Sequence, residues 1–257
     1  MAAVVFFHAH PDDEAIVTGG TMALLAAAGH RVVLVTATRG ELGEVAAGVL
    51  APGESLSDRR TRELSAACEA LGVSRLEFLG YQDSGMAGEA SNEDPACFWK
   101  ADLDEAATRL AAILTEENAE VLTVYDEHGS YGHPDHIQVH RVGVRGAQIA
   151  GTPRVYMATQ NRNAIRRLLD ALPDASAEER AAATHLGVPE ERITTVLDVR
   201  EFVESKRAAM RAHESQIPET SFFLSLPDDV FRTLWGTEWY IRIGADPTTP
   251  VDHSLLD

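Results

Sequence analysis

Cysteine is almost absent from this chain. The only two, Cys68 and Cys97, belong to no Cys-x-x-Cys pair. A disulfide framework is therefore unsupported, and a reducing cytoplasm is the expected compartment. Basic residues are also scarce, with 22 Lys and Arg against 40 Asp and Glu and a net charge of -18. Such a surface repels nucleic acid and anionic membrane, so neither is expected as a partner. No basic segment precedes the short apolar run that ends at His8, so this run reads as a first strand rather than a signal peptide. Nor does any stretch approach the roughly 18 apolar residues that a membrane helix needs, so a soluble protein is expected.

What is present suits a globular protein. The 257 residues, 45% of them hydrophobic, suffice for one large domain or a domain with an elaboration. Strand-like runs at Ala3–Phe7, Arg31–Thr36, Leu76–Leu79, Val121–Tyr125, Arg154–Thr159 and Ile193–Val199 alternate with helical patterns. The helices are expected up to Gly29, over Ser57–Leu71, Ala101–Glu117 and Pro134–Ile149, in stretches between Thr159 and Ile193, and through His213. The expected fold is α/β: a Rossmann-like, doubly wound, mostly parallel sheet with helices on both faces. Residues 1–160 would form the catalytic core. Residues 161–257 would complete the sheet and the substrate-pocket wall within a single unit. The aromatic stretch Ser221–Ala245 reads as a C-terminal addition packed on the domain, or as a contact in a homo-oligomer. Two Gly-rich segments, Gly40–Leu56 and Gly80–Ala96, read as rims or lids.

Two short motifs carry the chemistry. His10-Pro11-Asp12-Asp13-Glu14 stands where the first strand ends, and Tyr131-Gly132-His133-Pro134-Asp135-His136 follows Val121–Tyr125. Proline suits the first turn of a helix, and acids there are favoured by the helix dipole, so either motif alone could be a helix start and nothing more. Two strand ends that both carry His-Pro-Asp are harder to explain as caps. In a doubly wound sheet strands one and four flank the crevice where ligands bind. His10, Asp13 and His136 would then supply two imidazole nitrogens and one carboxylate oxygen, a set suited to catalytic zinc, with ferrous iron fitting the same donors. Magnesium, which wants an oxygen-rich shell, fits poorly.

These motifs resemble those of the LmbE/PIG-L family of zinc-dependent N-deacetylases. Thr38-Arg39-Gly40-Glu41, the helix around Arg60 and Glu63, Asp83-Ser84-Gly85-Met86, Asp126-Glu127-His128-Gly129 and the stretch Lys206–Gln216 agree with it. Within the family the mycothiol branch is the most similar. That branch includes the deacetylase acting on N-acetylglucosaminyl-inositol and the amidase that cleaves mycothiol S-conjugates. The resemblance implies zinc on His10, Asp13 and His136, and Asp12 as general base. It implies His133 facing the developing oxyanion, Asp135 holding His133, and Tyr131 as a mobile donor. Arg60, Asp83 and Met86 would contact a small amino-sugar substrate.

Competing readings are the S-conjugate amidase, a tailoring deacetylase of natural products, and a zinc-binding protein without turnover, which would need a fourth protein ligand. Among the remaining histidines, His8 is expected inside the core and His213 in a buried network with Gln216. His140 reads as core or as a support for His136, and His128 as pocket lining or a loop anchor. Glu41 and Glu44 read as a solvated rim.

Overall fold

The computed structural model describes residues 1–45, 48–171, 186–246, 249 and 251–256. Seven strands form one sheet in the order β3-β2-β1-β4-β5-β7-β6. In chain order they are β1 (Ala3–His8), β2 (Arg31–Thr36), β3 (Arg75–Phe78), β4 (Val121–Tyr125), β5 (Arg154–Thr159), β6 (Thr195–Asp198) and β7 (Thr237–Arg242). The five strands from β3 to β5 are mutually parallel, and β7 runs antiparallel to both of its neighbours. This is the expected α/β fold, with β1 and β4 side by side at the centre.

Alternation along the strands divides the core into two layers. Val4 and Phe6 of β1 and Val32 and Leu34 of β2 point to one face. There they pack on α2 (Gly19–Ala27), α3 (Leu56–Leu71) and α8 (Val203–Ala212), through residues such as Met22, Leu64 and Met210. Val5 and Phe7 point to the opposite face and meet Leu110 of α4 (Leu103–Glu116) and Val142 of α6 (Pro134–Ala150). Every residue of β1 is buried. A parallel strand covered on both faces must be apolar on both, which is why Ala-Val-Val-Phe-Phe shows no polar alternation.

Local chemistry sets the helix ends. Ser55 Oγ accepts the Asp58 N–H at the start of α3, and Gly72 closes that helix at φ 72°. Pro134 occupies the first turn of α6, and Gly151 ends it at φ 73°. A five-residue helix, α1 (Asp13–Val17), follows β1 directly, and a single turn, α5 (Gly129–Gly132), precedes α6. Of the helical stretches expected between Thr159 and Ile193, Arg162–Ala171 forms α7, and residues 172–185 lie outside the described residues. The aromatic C-terminal stretch does more than pack on the domain. Asp228–Trp235 forms α9, and Thr237–Arg242 enters the sheet as β7, between β5 and β6. Among the described residues no helix is long and apolar enough to cross a membrane.

Candidate metal centre

The site lies at the carboxyl ends of β1, β3 and β4, where an open α/β sheet leaves a crevice. β1 ends at His8 and the chain turns through His10 and Asp12 into α1. Asp12 has φ 111°, in the left-handed region that non-glycine residues rarely occupy. Three contacts hold it there. Glu14 Oε2 accepts its backbone N–H at 2.9 Å, Arg60 Nη2 lies 3.1 Å from its carboxylate, and Arg60 also donates to the Pro11 carbonyl.

The second motif arrives from β4. Asp126 organises the turn, its Oδ1 accepting the N–H groups of His128 and Ser130, each at 3.1 Å, and its Oδ2 the Thr159 hydroxyl at 2.7 Å. Gly129 takes φ +65°, and a Cβ there would stand 2.8 Å from Ile137 N and 2.9 Å from His136 Cβ. Only glycine lets the turn approach α6 this closely. His133 then caps α6, its Nδ1 accepting the Asp135 N–H at 3.1 Å, and His136 falls in the first turn.

Side chains of both motifs meet in one buried cluster. Asp13 spans the two histidines, with Oδ2 3.4 Å from His10 Nδ1 and Oδ1 3.4 Å from His136 Nε2. Among the described residues, two sets of three side chains bring ligand atoms within 4.8 Å of one another: His10, His133 and His136, and His10, Asp83 and Asp135. His136 is 1% exposed, yet neither ring nitrogen has a hydrogen-bond partner, while its ring stacks on Tyr125 at 4.2 Å. A buried imidazole with two idle nitrogens beside a carboxylate is costly unless something else binds there. A divalent cation would satisfy it, and the clustered His and Asp side chains form a site that can hold a metal ion.

The electrostatics favour a positive charge. Burial alone would lower the His10 pKa, but hydrogen bonds with Asp13, Asp135 and Asp83 lift it well above its usual value. Burial would raise Asp13, yet the facing His136 and His10 hold it well below the carboxylate range. Asp12 differs: burial pushes it up to about 6 against the pull of Arg60, with Asp13 adding to the rise. Burial, together with His10 and His136, lowers His133 to about 4.

The other expected site residues are placed as follows. Tyr131 stands at the mouth, 55% exposed, with its ring 5.1 Å from that of His136. Asp83 is 6% exposed, with Oδ1 3.5 Å from His10 Nε2, and Met86 is 49% exposed. Arg60 is 3% exposed and engaged with the Gly40 and Pro11 carbonyls and Asp12. The Asp135 carboxylate faces His10 Nε2 at 3.1 Å, and only its backbone N–H reaches His133. His8 lies in the core as expected, between Tyr125 and Thr18, and burial lowers it to about 4. His213 is buried against Glu14 at 2.6 Å.

Tyr125 and Ser84 also stand at the site, although neither is singled out by the sequence motifs. Tyr125 is the last residue of β4, and its position at a strand's carboxyl end was the available signal. Ser84 is tied to Asp135 across 51 positions, a pairing no local pattern displays.

The fold and pocket define an α/β protein with a His/Asp metal-type centre at the switch point of its sheet. The chain belongs to the family described as PIG-L: GlcNAc-PI de-N-acetylase, whose profile matches residues 5–147. A relative from Thermomonospora curvata, named 1D-myo-inositol 2-acetamido-2-deoxy-alpha-D-glucopyranoside deacetylase, is 41% identical over 92% of this chain and 89% of its own. Among solved structures, the N,N'-diacetylchitobiose deacetylase of Pyrococcus horikoshii is 20% identical with a TM-score of 0.58, over 94% of this chain and 83% of that one. The 4-carboxy-2-hydroxymuconate hydratase of Pseudomonas putida KT2440 is 21% identical with a TM-score of 0.60, over 97% and 99%. These two likenesses show the fold, and a deacetylase and a hydratase catalyse different reactions, so the fold alone does not fix the chemistry.

Proposed function

We propose that this chain is a zinc-dependent N-deacetylase that hydrolyses the acetamide of an N-acetylglucosaminyl-inositol. The observation that carries the reading is His136, a buried imidazole with no hydrogen-bond partner, facing Asp13 beside a carboxylate whose pKa is raised to about 6. The Thermomonospora curvata relative supports the choice of substrate.

His10, Asp13 and His136 would hold the cation. When bound, zinc acts as a Lewis acid that polarises the amide carbonyl and lowers the pKa of water to about 7. Asp12 takes the proton from the attacking water, and a base with a pKa near 6 is ionised at neutral pH yet still basic enough for the task. His133 is neutral at pH 7 because burial and its histidine neighbours hold it near 4. Its Nδ1 accepts the Asp135 N–H, so its proton sits on Nε2. That N–H is available to the oxyanion as the carbonyl becomes tetrahedral, a contribution of about 3 kcal/mol. Tyr131, exposed at the mouth, adds its hydroxyl to the same oxygen. Asp12 then returns its proton to the departing nitrogen, releasing acetate and a free amine.

The test is a substrate panel assayed for freed amine and freed acid, with and without a chelator. N-acetylglucosaminyl-inositol should yield acetate in a chelator-sensitive reaction. Release of an N-acetylcysteine conjugate in preference to acetate would assign the amidase reaction instead. Chelator-insensitive turnover would refute the metal-dependent mechanism.

A further inference from the structure

Ser84 takes no part in the ligand set or the proton transfers above, yet it is completely buried beside them. Its backbone N–H donates to Asp135 Oδ2 at 3.0 Å and its hydroxyl donates to Asp135 Oδ1. The hydroxyl oxygen accepts the Trp99 N–H at 2.9 Å, and the Ser84 carbonyl accepts from the side chains of Ser91 and Asn92 at 2.7 and 2.5 Å. Ser84 is therefore fixed by the Gly80–Ala96 loop and holds both oxygens of one carboxylate.

That carboxylate is equally fixed. Asp135 is 0% exposed, and its Oδ2 lies 3.1 Å from His10 Nε2. An ionised carboxylate only accepts hydrogen bonds, so Nε2 of His10 is the donor. A ligating imidazole is neutral and keeps a single N–H, so with Nε2 donating to Asp135 the ligating lone pair would be on Nδ1, the nitrogen turned toward Asp13 at 3.4 Å. A carboxylate behind a ligating imidazole selects its tautomer and ring orientation and raises its basicity. We infer that Ser84 and Asp135 are a positioning pair that sets His10 to ligate through Nδ1, which makes the loop after β3 part of the metal centre. This rests on His10 as a cation ligand, as argued above, and departs from the expectation that the Asp135 carboxylate serves His133.

The experiment measures zinc affinity rather than turnover. The purified protein is stripped of metal and titrated with zinc in competition with a chromogenic chelator. Wild type, Ser84→Ala, Asp135→Asn and the double variant are compared, and near-ultraviolet circular dichroism of each metal-free protein establishes that it is folded. Asparagine offers one acceptor oxygen where Ser84 presents two donors, so Asp135→Asn breaks the arrangement at constant volume. We expect zinc affinity to fall about tenfold in Ser84→Ala and about 10–100-fold in Asp135→Asn. The double variant should be no weaker than Asp135→Asn alone, because both act through one carboxylate. Cobalt-substituted wild type and Ser84→Ala should also differ in their visible ligand-field bands at equal stoichiometry. Wild-type affinity in Ser84→Ala, or losses that multiply in the double variant, would overturn the pairing and leave the deacetylase reading standing. Complete loss of binding in Asp135→Asn would make Asp135 a ligand and overturn its positioning role. A wild-type protein that binds no zinc would remove the ligand assignment and this inference together.

Discussion

Replacing Arg60 with methionine separates two roles for the same guanidinium. Arg60 Nη2 lies 3.1 Å from Asp12 Oδ2, and the side chain is buried. At that distance the attraction amounts to about 5 kcal/mol for an effective dielectric near 20. Arginine beside an aspartate typically lowers its pKa by about 1–3 units. Asp12 already stands at about 6, because burial outweighs Arg60. Without the guanidinium, burial and Asp13 act unopposed, and the Asp12 pKa rises further. A general base works only when deprotonated, so its activity is lost as pH falls through its pKa. The acidic limb of kcat/KM should therefore move upward by about 1–3 units relative to wild type. Turnover at pH 7 should drop by about 2- to 100-fold across that range of shifts and recover as pH rises past the new limb, with KM little changed. The assay is freed amine against pH for both proteins. If KM rises while the acidic limb stays in place, Arg60 grips the substrate and does not poise Asp12, and the reasoning fails.

Other perturbations have defined outcomes. Asp12→Asn should retain zinc in metal analysis but lose about 10²–10⁴-fold in kcat; near-wild-type turnover would rule out Asp12 as the base. Lys206→Met leaves Glu238 buried, 3% exposed, with donors from Gly20, Thr21 and Tyr240 but without its cation at 2.6 Å. That should cost about 3 kcal/mol and lower the melting temperature by about 6–12 °C, read in a thermal melt. His8, lowered to about 4 by burial, should remain neutral at pH 5.5 in a nitrogen-15 NMR titration. Because the unfolded chain binds that proton at 6.5, the stability His8 contributes is complete above pH 6.5. It is lost as pH falls toward 4, by roughly 3 kcal/mol.

The sequence shows the central strands clearly because parallel strands buried on both faces are continuous apolar runs. Arg31–Thr36, Val121–Tyr125 and Arg154–Thr159 occupy the positions expected, residue for residue. β7 was hidden for the opposite reason. Its inward-facing Glu238 pairs with Lys206 of α8 and breaks the apolar pattern that marks a buried strand. Its insertion between β5 and β6 depends on closure of the whole chain rather than on local preference. At the site, both histidine motifs were legible because each follows a strand end. The partner of the Asp135 carboxylate was not. It depends on the side chain turning toward His10 and on a loop from β3 that reaches across the crevice. The strained backbone of Asp12 was equally invisible, since aspartate before a helix looks like an ordinary cap.

Anomalous diffraction from crystals grown with zinc, recorded on both sides of the zinc absorption edge, would locate the cation itself. One strong peak should stand bonded to His10 Nδ1, Asp13 and His136. A peak on His10 Nε2 with Asp83 and Asp135, or no peak in the pocket at all, would contradict that ligand set.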